Sequence, residues 1–120
     1  MVALTHVAKA DAYSVLPPKI SENSFLGDVI TVGETPITGG FFKVVPGKEL
    51  VYTYPYDELK IVLEVEGDFI VSDSEGNTVH PKAGDLLKFP KGVTITFKVE
   101  GGEDAYAYNF YVGQKKQGEL

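Results

Sequence analysis

Hydrophobic and polar residues alternate along most of this chain in short runs, and glycine or proline separates one run from the next. In 93-VTITFKV-99 the odd-numbered residues are apolar and the even-numbered residues are polar, so a strand here would bury one face and expose the other. The pattern predicts strands at residues 26–32, 40–45, 49–54, 58–66, 68–73, 77–80, 86–90, 93–99 and 105–112. So many short strands joined by tight turns are typical of an all-β sandwich or barrel.

The chain length of 120 residues suits one hydrophobic core. We therefore expect a single domain over 1–120, with an N-terminal arm at 1–25, a β-barrel at 26–112 and a frayed tail at 113–120.

Charge and composition exclude several classes of function. The net charge is −6 and the lysines are spread out, which argues against a nucleic-acid partner. The chain has no cysteine, so disulfides and thiolate chemistry are absent. No segment is apolar for long enough to span a membrane, and the start lacks the pattern of a signal peptide. We expect a cytoplasmic protein with no membrane partner.

Two segments carry a family resemblance. The order PGKELVYTYPYDELKIVLEVEG, followed by SEGNTVHPKAGDLLKFPKGVTITF, resembles the two signature motifs of the cupin superfamily. The resemblance covers roughly residues 40–112 and implies a jelly-roll barrel, the double-stranded β-helix. The matching positions are Gly47, Glu58, Gly84, Asp85, Pro90 and Gly92. In that family the glutamate and three histidines bind a metal.

The histidine positions of the motifs hold other residues in this chain. Tyr52 and Tyr54 take the two positions of the first motif, and Ile95 takes that of the second. The chain is most similar to the ethanolamine-utilisation Q-type cupins, which also have Tyr-Asp-Glu there. The stretch from Glu58 to Gly67 is two residues longer than the usual spacing.

Phenols are poor ligands for divalent metals, and isoleucine is no ligand. His80 lies beside a turn, and we expect it to be a surface residue. We expect no functional role for His6. We predict neither a bound metal nor a cofactor.

The resemblance implies that Glu58 points into the barrel, and Lys60 would then share its face. A buried carboxylate and a buried ammonium have perturbed pKa values that suit proton transfer. The predicted catalytic residues are Glu58 as general base, Tyr52 or Tyr54 as general acid or oxyanion donor, and Lys60 as electrostatic partner. The alternation of the strand also allows Glu58 and Lys60 to lie in solvent, with the apolar row as the core.

Aromatic residues supply the predicted substrate-binding wall, although cross-strand packing alone could explain some of them. The candidates are Phe42, Tyr56, Tyr106, Tyr108 and Phe110.

Two classes of function fit these residues. The first is a metal-independent enzyme that acts on a small oxygenated molecule as an isomerase, dehydratase, cyclase or lyase. The second is a non-catalytic binding cupin, or an accessory protein like those of ethanolamine utilisation; the chain has no P-loop for nucleotide chemistry. With Glu58 inward, an outer apolar row of Leu59, Ile61, Leu63 and Val65 predicts a homodimer, with the arm around Leu16 to Ile20 packing across.

Overall fold

The fold is taken from a computed structural model, which describes residues 3–14, 19–21 and 24–117. In these residues one short helix precedes a series of strands. Their bounds are α1 (Lys9–Ser14), β1 (Lys19–Ser21), β2 (Ser24–Val32), β3 (Ile37–Val44), β4 (Leu50–Thr53), β5 (Glu58–Glu66), β6 (Asp68–Asp73), β7 (Thr78–Val79), β8 (Leu86–Phe89), β9 (Thr94–Glu100) and β10 (Tyr106–Gly113). All predicted strands are present. The helix and β1 were not predicted.

The strands form two antiparallel sheets, in the orders β1-β2-β3-β10-β5-β8 and β4-β9-β6-β7. Their apolar faces meet in one core, where the Phe42 ring of β3 lies edge-on to the Phe97 ring of β9 at 4.9 Å. This confirms the all-β prediction. In the described part of the chain, no helix has the length and apolar character to cross a membrane.

A β-bulge in β5 accounts for one of the two extra residues after Glu58. Asn109 of β10 pairs with Val62, but Tyr108 pairs with Glu64, so Leu63 is an extra residue without a partner. The bulge reverses the inward and outward positions of the strand beyond it.

The bulge corrects the predicted outer row. Val65 lies beyond the bulge and packs against the core, so only Leu59 and Ile61 continue on the outer face as expected. The arm segment at Leu16 lies outside the described residues.

The chain after β10 is not frayed where the structure describes it. The Gln114 amide donates to the Asp57 carbonyl at 2.9 Å, and the Thr38 hydroxyl donates to the Lys115 carbonyl at 2.6 Å. The Lys115 residue is 2% exposed. The prediction of a tail from residue 113 is therefore wrong for 113–115.

Candidate active site

Glu58 and Lys60 occupy the inward face of β5, and each residue is 3% exposed. Residues two positions apart on a strand point to the same face, so Glu58 and Lys60 lie in the same apolar environment. The Lys60 ammonium donates to Oε2 of Glu58 and forms a buried salt bridge with it. The structure thus decides the face that the alternation had left open.

Tyr54 completes a triangle of polar groups. Its hydroxyl donates to Glu58 Oε2 at 2.6 Å and accepts a hydrogen bond from Lys60 Nζ at 3.2 Å. Burial, followed by the charge of Glu58, raises the phenol pKa of Tyr54 well above its ordinary value. Tyr54 consequently keeps its proton at neutral pH and can donate a hydrogen bond.

Aromatic rings surround the Lys60 ammonium. The nearest centroid is that of Phe42, at 4.7 Å from Nζ. Further rings lie at 5.3 Å (Phe89), 5.3 Å (Tyr111), 5.4 Å (Phe97) and 5.7 Å (Tyr54). Their faces attract the cation and offset part of its desolvation. Burial nevertheless lowers the pKa of Lys60, against the opposing effect of Glu58.

The segment 52-YTYPY-56 brings three tyrosine rings together. Tyr52 and Tyr56 each lie edge-on to Tyr54, with centroids at 4.8 Å and 5.7 Å. The Tyr52 hydroxyl is buried. Burial raises the phenol pKa of both Tyr52 and Tyr56, and a hydrogen bond with Tyr56 lowers that of Tyr52 by a smaller amount. Both phenols therefore keep their protons at neutral pH where they line the cavity.

These side chains enclose a cavity of about 20 Å³ between the sheets. Its lining consists of Leu26, Phe42, Leu50, Tyr52, Tyr54, Tyr56, Glu58, Lys60 and Phe97. A cavity of this size holds about one water molecule. Leu26, Leu50 and Tyr52 are the lining residues that remain partly exposed, and we call them the mouth of the cavity.

Three predicted substrate-binding residues lie elsewhere. Along β10, Ala107, Asn109, Tyr111 and Gly113 are buried. The residues Tyr106, Tyr108 and Phe110 therefore point to the outer face of the sheet. The Tyr108 ring stacks there on Phe41 at 5.3 Å. The expectation that these three line the cavity is corrected, whereas Phe42 and Tyr56 do line it.

The structure reveals a buried group that sequence reasoning missed. The Tyr111 hydroxyl donates to the Asp28 carboxylate, and Lys115 Nζ lies 2.9 Å from Asp28 Oδ1. Burial and the hydrogen bond to Asp28 raise the phenol pKa of Tyr111. Alternation could not single out Tyr111, because both faces of β10 carry aromatic residues, and Asp28 and Lys115 are far apart in sequence.

The donor set does not fit the metal that the cupin motif implies. The carboxylate of Glu58 already holds an ammonium, Tyr54 stays protonated, and Ile95 is a core residue. Among the described residues, no three histidine, aspartate, glutamate or cysteine side chains cluster as metal ligands. His80 lies on the surface, where Nδ1 is 2.8 Å from Asp68 Oδ1.

A family model described as ethanolamine utilisation protein EutQ matches residues 5–114. The chain belongs to the EutQ family. A putative EutQ from Salmonella typhimurium LT2 is 32% identical, with a TM-score of 0.58 over 75% of this chain and 68% of that one. A structural-genomics protein of unknown function from Rhizobium leguminosarum bv. viciae 3841 is 30% identical, with a TM-score of 0.70 over 93% and 97% of the two chains. No match was found among curated proteins.

The fold of this EutQ-family protein is the cupin double-stranded β-helix. The polyketide cyclase RemF from Streptomyces resistomycificus shares it with a TM-score of 0.74, over 98% of this chain and 83% of that one. Its sequence is 14% identical, so the likeness concerns the fold alone.

Proposed function

We propose that this EutQ-family protein catalyses metal-independent proton transfer on a small oxygenated organic molecule, as an isomerase, dehydratase, cyclase or lyase. One observation carries the proposal: a single carboxylate oxygen of Glu58 is held by both the Lys60 ammonium and the Tyr54 hydroxyl inside an aromatic cavity. A base, an acid and a fixed positive charge are thereby within hydrogen-bond reach of one point.

Each group has a defined part in such a reaction. Glu58 accepts a proton from the carbon next to a carbonyl group. The electron pair of that C–H bond forms a C=C bond, and the π pair of the carbonyl group moves to its oxygen, where the hydrogen bond of Tyr54 and the charge of Lys60 stabilise the oxyanion. The Tyr52 hydroxyl, which also lines the cavity, is a second donor for a substrate oxygen.

Access to the cavity limits the substrate. At about 20 Å³ the closed cavity excludes organic molecules, so the side chains of the mouth must move before a substrate can bind. The aromatic walls favour a partly apolar molecule with few heavy atoms.

The same closed cavity favours the alternative of a non-catalytic role. In that case the triangle of Glu58, Lys60 and Tyr54 holds the barrel together, or binds a ligand without turning it over. An accessory role in ethanolamine utilisation would accord with the family description. In either case we place the protein in the cytoplasm.

Hydrogen–deuterium exchange separates the two functions. Chelator-treated protein is incubated in D₂O with a panel of small ketones, aldehydes and β-hydroxy carbonyl compounds, and exchange at carbon is followed by NMR. We expect exchange that Glu58→Gln abolishes and Tyr54→Phe strongly reduces. The matched controls are Glu64→Gln on the same strand and Tyr108→Phe on the outer face; both retain exchange.

Metal content is measured on the same samples by mass spectrometry. A stoichiometric transition metal, together with loss of exchange on chelation, would overturn the metal-independent mechanism. Saturable binding without exchange would support the non-catalytic alternative.

A further inference from the structure

A second buried ion pair lies beside the candidate site. Asp28 comes from β2 and Lys115 follows β10, and their charged atoms are 2.9 Å apart. The side chain of Lys115 is fully buried, and that of Asp28 is 8% exposed. The triangle of Glu58, Lys60 and Tyr54 has no need of either residue, so the pair requires its own explanation.

The Tyr111 ring contacts both lysines. Lys60 Nζ and Lys115 Nζ each lie 5.3 Å from the centroid of this one ring. The Tyr111 hydroxyl donates to the Asp28 carboxylate. The two ammonium groups therefore share one aromatic neighbour, and charges in such a dry interior interact more strongly than charges in water.

We propose that the Asp28–Lys115 pair controls the charge of Lys60, because Asp28 balances an ammonium that lies against the same Tyr111 ring as Lys60. The titratable groups around Lys60 are Glu58 and Tyr54 by hydrogen bonds, Tyr111 by its ring, and Lys115 over that same ring. Burial has the largest effect on the pKa of Lys60 and lowers it. Of the neighbouring charges, Glu58 raises this pKa and Lys115 lowers it, as the proposal requires.

Removing Asp28 and removing Lys115 should change the pKa of Lys60 in opposite directions. In Asp28→Asn the Lys115 charge loses this carboxylate partner, so the pKa of Lys60 falls. In Lys115→Met the opposing charge is gone, and the pKa of Lys60 rises. The double variant loses both charges and lies between the single variants, near the wild-type value. A merely structural role would not move the pKa in opposite directions.

The experiment is a pH titration by NMR of the full chain, labelled with ¹³C at the lysine ε position. Lys60→Met assigns the Lys60 signal. We expect changes of about one pH unit in opposite directions for the single variants, the usual size for a nearby charge. Lys98→Met is the matched control, because Lys98 forms an exposed pair with Glu100; it leaves the Lys60 pKa unchanged.

Equal shifts in the same direction for both single variants, or no shift in Lys115→Met, would overturn the proposal. If Asp28→Asn fails to fold, Lys115→Met and the double variant still decide it. The titration needs no substrate, so the pKa result stands or fails independently of the exchange assay for the proposed function.

Discussion

Lys60 donates from its ammonium to the carboxylate of Glu58, two residues earlier on the same face of β5, where both are almost completely buried. Removing one partner of a buried pair leaves an uncompensated charge. We expect Glu58→Gln to lower the free energy of unfolding by about 3–5 kcal/mol. The double variant Glu58→Gln/Lys60→Met should recover most of that loss, since no charge remains. Urea denaturation measures both.

Glu64→Gln serves as the control for this pair, because Glu64 is exposed on the same strand. Its free energy of unfolding should stay within about 0.5 kcal/mol of the wild type. If the double variant were less stable than Glu58→Gln alone, the two charges would not depend on each other.

The outer face of the larger sheet predicts a homodimer. Strand pairing places Phe110, Ile61 and Leu86 in one row and Val112 and Leu59 in the next, all on the side away from the core. Leu59 is 59% exposed, and a contiguous apolar patch is costly to leave in water. Leu59→Lys should convert a dimer into a monomer, as measured by light scattering after size-exclusion chromatography.

Val51→Lys is the matched control, since Val51 is 56% exposed on the other sheet. It should leave the molecular mass unchanged. A wild-type chain that is already monomeric at micromolar concentration would show that this face does not form the dimer.

Gly40 makes room for the contact between Tyr111 and Asp28. A methyl group at position 40 would overlap the Gly27 carbonyl oxygen and lie 2.7 Å from the Tyr111 hydroxyl. We expect Gly40→Ala to destabilise the protein by at least about 1–3 kcal/mol, the usual cost of overpacking. Gly102→Ala has no atom within 4 Å of its methyl group and should be neutral. Thermal denaturation of both variants is the measurement; equal melting temperatures would argue against close packing here.

The buried tyrosines predict a loss of stability at alkaline pH. Burial raises the pKa of Tyr54 and Tyr111 in the folded state, while the same phenols ionise near 10.0 in the unfolded chain. Below pH 10 both states keep these protons, so the contribution of the two tyrosines to stability is fully present. Above it the unfolded state loses protons that the folded state retains, so the free energy of unfolding falls. Tyr54 alone contributes about 1.4 kcal/mol per pH unit.

The effect of Lys60 on the pH dependence of stability has the opposite sign, because its pKa in the folded state is below the unfolded value of 10.5. This contribution to stability therefore rises with pH between those two values, and above about pH 10 the larger loss from the two tyrosines outweighs it. Urea denaturation from pH 8 to pH 11.5, with phenolate absorbance at 295 nm, checks the prediction. Phenolate absorbance from all seven tyrosines of the native protein near pH 10 would contradict it.

Alternation and turns were sufficient to predict the strands, because a strand with one buried face must repeat every second residue. The positions of Gly47, Glu58 and Gly92 in the cupin motifs predicted the family, which the EutQ match confirms. Candidate chemistry at Glu58, Lys60 and Tyr54 also followed from the sequence, and the structure brings these three together. Their catalytic role remains a prediction.

Only the tertiary structure decided which face of β5 and of β10 is buried. Either face of β10 carries aromatic residues, so alternation could not choose between Tyr108 and Tyr111. A pattern that repeats every second residue cannot predict the bulge at Leu63, because one extra residue reverses the faces beyond it. The contact of Asp28 with Lys115 joins residues 87 positions apart, and such a pairing exists only once the sheets close around it.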